Sequence, residues 1–269
     1  MHVKLSLIAT SCLIVRAAAA QPPPPDEPSQ SVLPGVLSTA VGGTFDGRID
    51  FSDFGDNILR EITLLALNLH GQYISPSGLG GYLALPLAYV SGGDDSEAYL
   101  GNLELGGLYV FRGAGFDAYL RGGLAPNTGT DEGIPVPIAN VIPRPADAYS
   151  TGLNTTWLRG GGGARLTSGS LVVAGSGGID IPLERDDSVT LLHLTGSIGI
   201  AQPVFGLAAG VTLIQVFERD GADSDDSYFG FQLVGDAAIG GRSRLYGALG
   251  LNFEDDAAFS IGAGVRAGF

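Results

Sequence analysis

AFSIGAGVRAGF, residues 258–269, ends the sequence. From Phe259 every second position is apolar: Ile261, Ala263, Val265, Ala267 and Phe269 follow. The positions between them, Ser260, Gly262, Gly264, Arg266 and Gly268, are small or charged. An unbroken period of two is the mark of a strand with two unlike faces. The strand runs into a bare phenylalanine, where the end of a soluble domain would usually fray.

The same alternation recurs upstream. It predicts twelve strands, near 41–51, 61–73, 79–90, 98–112, 116–125, 155–166, 170–183, 189–201, 204–217, 228–239, 244–253 and 258–269. Leu65, Leu67, Leu69 and Tyr73 oppose Asn68, His70 and Gln72; Phe116, Leu120 and Leu124 oppose Asp117, Tyr119 and Arg121. Each run matches the length of a tilted membrane-crossing strand, about 9–11 residues. Pro86 interrupts the third run, since proline cannot donate to a ladder, and a bulge is expected there.

The connectors alternate between two kinds. SPSG (75–78), GAG (113–115), TSG (167–169), QP (202–203) and GGRS (240–243) are short and free of acids. SDFGDN (52–57), SGGDDSE (91–97), the long 126–154 segment, ERDDS (184–188), ERDGADSDDS (218–227) and EDDA (254–257) are acidic. An antiparallel meander sends successive connectors to opposite ends, so one end carries tight turns and the other acidic loops. The remaining acids are Asp26, Glu27, Glu61 at a strand start, and Asp46, Asp50, Glu104, Asp117, Asp180 and Asp236 on polar strand faces. No acid falls on an apolar face, as expected where that face meets lipid. Phe51, Tyr89, Tyr99, Phe217, Phe229, Phe253 and Phe259 sit beside the acidic loops. Tyr73, Tyr109, Phe111, Phe116, Phe205 and Phe269 sit at the other end. Two aromatic bands with an aliphatic zone between them describe a membrane slab.

The beginning of the chain reads differently. Residues 1–20 have the form of a cleaved signal peptide: Lys4, an apolar run to Val15 and an Ala18-Ala19-Ala20 site. Cys12 is the single cysteine and lies within it, so the mature chain has no thiol or disulfide chemistry. Residues 21–35, opening QPPPPDEPSQ, are expected to form a solvated periplasmic leader. The formal charge of −14 excludes nucleic acid as a partner, and 45% hydrophobic composition excludes disorder.

On these features, residues 36–269 resemble the bacterial outer-membrane β-barrel proteins, porin-like but of no specific family. The resemblance implies an all-β fold: a closed antiparallel up-and-down transmembrane barrel of about twelve strands, with short turns in the periplasm. It implies a setting in outer-membrane lipid and lipopolysaccharide. It also implies that the C-terminal strand ending in Phe269 is read by the barrel-assembly machinery.

The chemistry is expected inside. The inward, pore-lining candidates are Arg48, Glu104, Arg112, Asp117, Arg121, Arg159, Arg165, Asp180, Asp236 and Arg266, with Arg244 beside them. Small inward residues such as Gly206, Gly210, Ala174 and Gly178 leave room for water. The 126–154 loop is long enough to enter the mouth. No catalytic, cofactor or metal residues are assigned. His70 and His193 fall on polar faces, away from the outer surface where a lipid hydrolase would act. GGGG (160–163) lacks the Lys-Ser/Thr of a phosphate loop, and DGADSDD (220–226) lacks EF-hand spacing. The expected function is a passive channel for small solutes. A structural barrel whose acidic loops bind cations, lipopolysaccharide or a partner is the alternative; a lipid-acting enzyme stands below both.

Overall fold

The computed structural model describes residues 30–53, 62–92, 95–129, 135–148, 155–184, 189–218, 227–252 and 258–269. The signal, residues 21–29 and the calcium-like stretch 220–226 lie outside the described residues. So does most of the acidic-loop set.

The alternating segments form β1 (Gly42–Asp53), β2 (Ile62–Ile74), β3 (Leu79–Gly92), β4 (Asp95–Leu100), β5 (Glu104–Gly113), β6 (Phe116–Ala125), β7 (Trp157–Ser168), β8 (Leu171–Pro182), β9 (Val189–Ala201), β10 (Phe205–Glu218), β11 (Ser227–Gly240), β12 (Ser243–Asn252) and β13 (Ala258–Gly268). Two short helices, α1 (Pro135–Asn140) and α2 (Pro145–Ala148), lie between β6 and β7. Each strand pairs antiparallel with its neighbours, and β1 pairs with both β2 and β13, which closes the sheet. β4 and β5 lie end to end along β3, so thirteen segments make a barrel of twelve staves.

The quoted stretch performs the closure. β13 runs against β1 from Gly268 opposite Thr44 to Phe259 opposite Asp53. Phe269 then exchanges two backbone hydrogen bonds with Gly43, at 2.8 and 2.9 Å. A Cβ on Gly43 would lie 2.1 Å from the Phe269 ring, so the glycine is what lets the ring seat there.

The apolar faces point outward. Leu79, Leu83, Leu120, Leu194, Ile198, Leu207, Leu245 and Ile261 are exposed, as are the banding aromatics Tyr73, Tyr109, Phe205, Phe217, Phe229 and Phe259. A continuous belt of this kind is unfavourable in water and satisfied in hydrocarbon.

The expected fourth strand, continuous over 98–112, is broken, and the break explains Pro86. β3 passes from pairing with β5, at Ala84 opposite Glu104, to pairing with β4, at Leu87 opposite Leu100. Three steps along β3 thus face four along its neighbour, which is a bulge. Pro86 O accepts from Gly101 N at 3.0 Å, so the missing Pro86 donor faces the same neighbour. The bulge expected at the proline is therefore carried by the chain opposite it.

The leader is the main correction. Residues 31–34 do not lie in solvent: Ser31, Val32, Leu33 and Pro34 are buried inside the barrel, and the inserted segment continues to Val41. It forms a hairpin that turns at Pro34–Gly35, where Gly35 has φ +64° and packs against Thr195. Its two arms meet again where Gln30 Nε2 donates to Thr39 Oγ1 and Thr39 N donates to Gln30 Oε1, both at 3.0 Å. Leu33 and Val36 join a cluster with Ile74, Tyr82, Leu108, Val110, Tyr119, Val172, Ala174 and Ala208. Burying each of these aliphatic side chains is worth roughly 1.5–3 kcal/mol, more than their solvation as a leader offers.

Candidate functional site

The lumen is the site, and strand alternation builds it. All ten candidate residues share a face with buried neighbours on their strands and so line the inside. Most are engaged in ion pairs. Arg48 meets Asp50 at 2.7 Å, and Arg266 meets Asp46 at 2.7 Å, where Tyr246 also donates at 2.5 Å. Arg244 pairs with Asp236 and reaches the carbonyls of Gln202 and Pro203. Arg159 holds Glu104 at 2.5 Å, Asp180 at 3.0 Å and Asp147 at 2.9 Å. Arg112 instead donates to Thr39 O at 2.9 Å, and Asp117 accepts from Thr39 Oγ1 at 2.8 Å. Arg121 and Arg165 make no ion pair among the described residues.

Two segments fill the space between the walls. At the short-turn end is the hairpin. Val32 N donates to Asp236 Oδ2 at 3.0 Å, Ser176 Oγ to Gly35 O at 2.8 Å, Gln72 Nε2 to Ser38 O at 2.8 Å, and Arg242 Nη2 to Val41 O at 2.6 Å. The small inward residues make its seat rather than open water: a Cβ on Gly206 would meet Ser31 Oγ at 2.7 Å, and one on Gly210 would meet Pro34 Cβ at 2.8 Å.

At the loop end the 135–148 segment descends into the mouth. Val136 and Ala139 of α1 pack on Leu64, Ala66 and Ala88. Asn68 Nδ2 donates to Asn140 Oδ1 at 2.8 Å, Gln232 Nε2 to Pro143 O at 2.5 Å, and Arg159 Nη2 to Ala146 O at 3.1 Å. Arg144 pairs with Asp147 within the segment. Burial alone would raise the Asp147 carboxyl, but the guanidiniums of Arg144, Arg159 and Arg121 hold it well below the usual carboxylate range. The bulge opposite Pro86 anchors the base of this loop: Asn102 Oδ1 accepts from Thr128 N and Gly129 N, and its Nδ2 donates to Thr155 O, each at 3.2 Å.

Between hairpin and loop remains a chamber of about 140 Å³. Leu33–Leu37 floor it, Pro143–Asp147 roof it, and Arg48, Arg121, His70 and Arg266 are among its walls. It has room for a few waters. Among the described residues, the hairpin and the 135–148 segment thus occupy the two ends of the lumen.

Such an arrangement can bind, exclude or pass a solute. His70 stacks on Tyr82 at 5.9 Å, and His193 lies 3.7 Å from Asp180, both inside. Among the described residues no three metal-ligating side chains gather to hold an ion.

Twelve antiparallel staves, an aliphatic belt between aromatic bands and a charged interior specify one fold class. The fold is that of the outer-membrane β-barrels. The barrel is similar to the KdgM porin, also solved in complex with disordered oligogalacturonate. In that complex the identity is 13% and the TM-score 0.54, over 84% of this chain and 99% of that one. It is similar as well to the translocator domain of the autotransporter NalP from Neisseria meningitidis, at 10% identity and TM-score 0.50, over 98% of this chain and 96% of that one. No protein-family model matches the chain, and no curated protein matches it in sequence. Sequence reasoning found the barrel and its inner face but missed Asn140, Arg144, Asp147 and Gln232 as lumen residues. The signal available for the first three was the length of their loop.

Proposed function

We propose that the protein is a passive channel for small solutes in the bacterial outer membrane, held here in a closed state. The observation that carries this reading is the way the lumen is filled. Eight-stranded barrels fill their interior with wall side chains, whereas this wider one leaves a polar space and stops it with two separate segments. Both segments are covalently tethered and non-covalently docked, so their withdrawal opens a path lined by arginines and carboxylates. The KdgM porin, to which the fold is similar, is in keeping with this reading. The setting would be outer-membrane lipid and lipopolysaccharide, reached after export and cleavage of residues 1–20. The β13 strand ending in Phe269 would be the part read by the assembly machinery.

Planar-bilayer recordings test it. The intact protein is expected to show small or infrequent conductance steps. A barrel lacking both residues 30–40 and 135–148, checked for folding by heat-modifiable migration, is expected to show large stable ones. Silence from both would overturn the channel reading. It would favour a structural barrel, the reading that the occupied lumen also supports.

A further inference from the structure

Most lumen guanidiniums hold a carboxylate, but along one wall three do not. Arg48, Arg144, Arg159, Arg244 and Arg266 each hold a carboxylate. Arg112, Arg121 and Arg165, among the described residues, hold none, and they stand on the adjoining strands β5, β6 and β7. Arg112 and Arg165 are the register partners of Asp117 on either side. Arg121 lies four residues along the same face of β6 and opens on the chamber. Near Arg121, the oxygens of Asp147 are taken by Arg144 and Arg159. Three guanidiniums on this wall thus face one carboxylate outside the ion pairs, whereas Arg144 and Arg159 between them hold three carboxylates, Glu104, Asp147 and Asp180.

The hairpin hides this excess without neutralising it. Residues 30–41 contain no Asp, Glu, Lys or Arg. Thr39 caps the row with its carbonyl on Arg112 and its hydroxyl on Asp117. A guanidinium is weakly hydrated and presents a planar fork that fits carboxylate or phosphate oxygens. Unbalanced charge in a low-dielectric tube concentrates the opposite ion.

We infer that the β5–β7 wall is an anion track, so that the open barrel passes small inorganic and carboxylate anions in preference to cations. This rests on the channel reading. Reversal potentials in a potassium chloride gradient test it, on the intact protein and on the barrel lacking both segments. Chloride is expected to be the more permeant ion. Arg121→Gln and Arg165→Gln are each expected to lower the chloride-to-potassium permeability ratio by about fivefold, the scale of one charge contact in water. Arg121→Lys is expected to retain it. If Arg121→Gln fails the heat-modifiability check, Arg112→Gln at the exposed short-turn mouth supplies the same reading. A potassium preference would overturn the inference and assign selectivity to the acidic rim. A ratio unmoved by every substitution would overturn it too. Conductance without anion preference leaves the channel reading standing; silence from all forms removes both.

Discussion

At the scale of single residues, Asp147 shows how the loop is held. Its carboxylate bridges Arg144 on its own segment and Arg159 on β7. Removing one partner of such a buried group leaves the others uncompensated, at a cost of about 3–5 kcal/mol. The acid dependence follows from the depressed carboxyl. A group whose folded value lies below its unfolded one stabilises fully above the unfolded value, near 3.9, and is lost as pH falls through the folded value. Loop docking is therefore expected to hold from pH 8 to about 4 and to fail only in stronger acid. Trp157 reports on it, being the single tryptophan, buried with Ala125, Leu191 and Val216 beside the loop base. Its emission should stay unchanged to about pH 4 and shift red below it, and Asp147→Asn should already be red-shifted at pH 7. A wild-type transition between pH 5 and 6 would show that another group controls docking.

At the scale of elements, the seam between β1 and β13 is the tightest test of how sequence makes the barrel. Gly43 has no side chain because the Phe269 ring occupies its place. Gly43→Val forces the ring or the strand to move, an overpacking of about 1–3 kcal/mol at the joint that closes the sheet. The expected result is a lower urea midpoint and slower appearance of the heat-modifiable form, with Gly71→Val, which has open space, as the tolerant control. Equal behaviour of the two would remove the seam argument. The strands were legible because alternation is local: Leu120 outside and Tyr119 inside can be read from three residues. The hairpin was not, because SVLPGVLSTAV (31–41) has apolar residues but no period that names the surface they meet. Its partners Asp236, Ser176 and Gln72 lie far along the chain. The break opposite Pro86 was half legible: the missing donor could be seen, but not that the neighbouring strand would bulge and turn Asn102 onto the loop base.

At the scale of the whole molecule, the two segments stand in series along one tube. The hairpin occupies the short-turn half, the 135–148 segment occupies the loop half, and the chamber separates them. Resistances in series add, so either obstruction alone limits the current once the other has gone. Removing residues 30–40 alone, or 135–148 alone, should therefore raise single-channel conductance only modestly. Removing both should raise it by more than the two single gains together. This excess distinguishes two plugs from one plug and an ornament. If hairpin removal alone gave the full conductance, the loop would leave a path beside it, and its buried Arg159–Asp147 contact would serve stability rather than closure. If loop removal alone gave it, the hairpin would be permeable as seated, and the closed state would be the work of the loop. The series outcome would mean that opening needs two events on opposite faces of the membrane, with the uncharged hairpin released from the turn side and the ion-paired loop from the other.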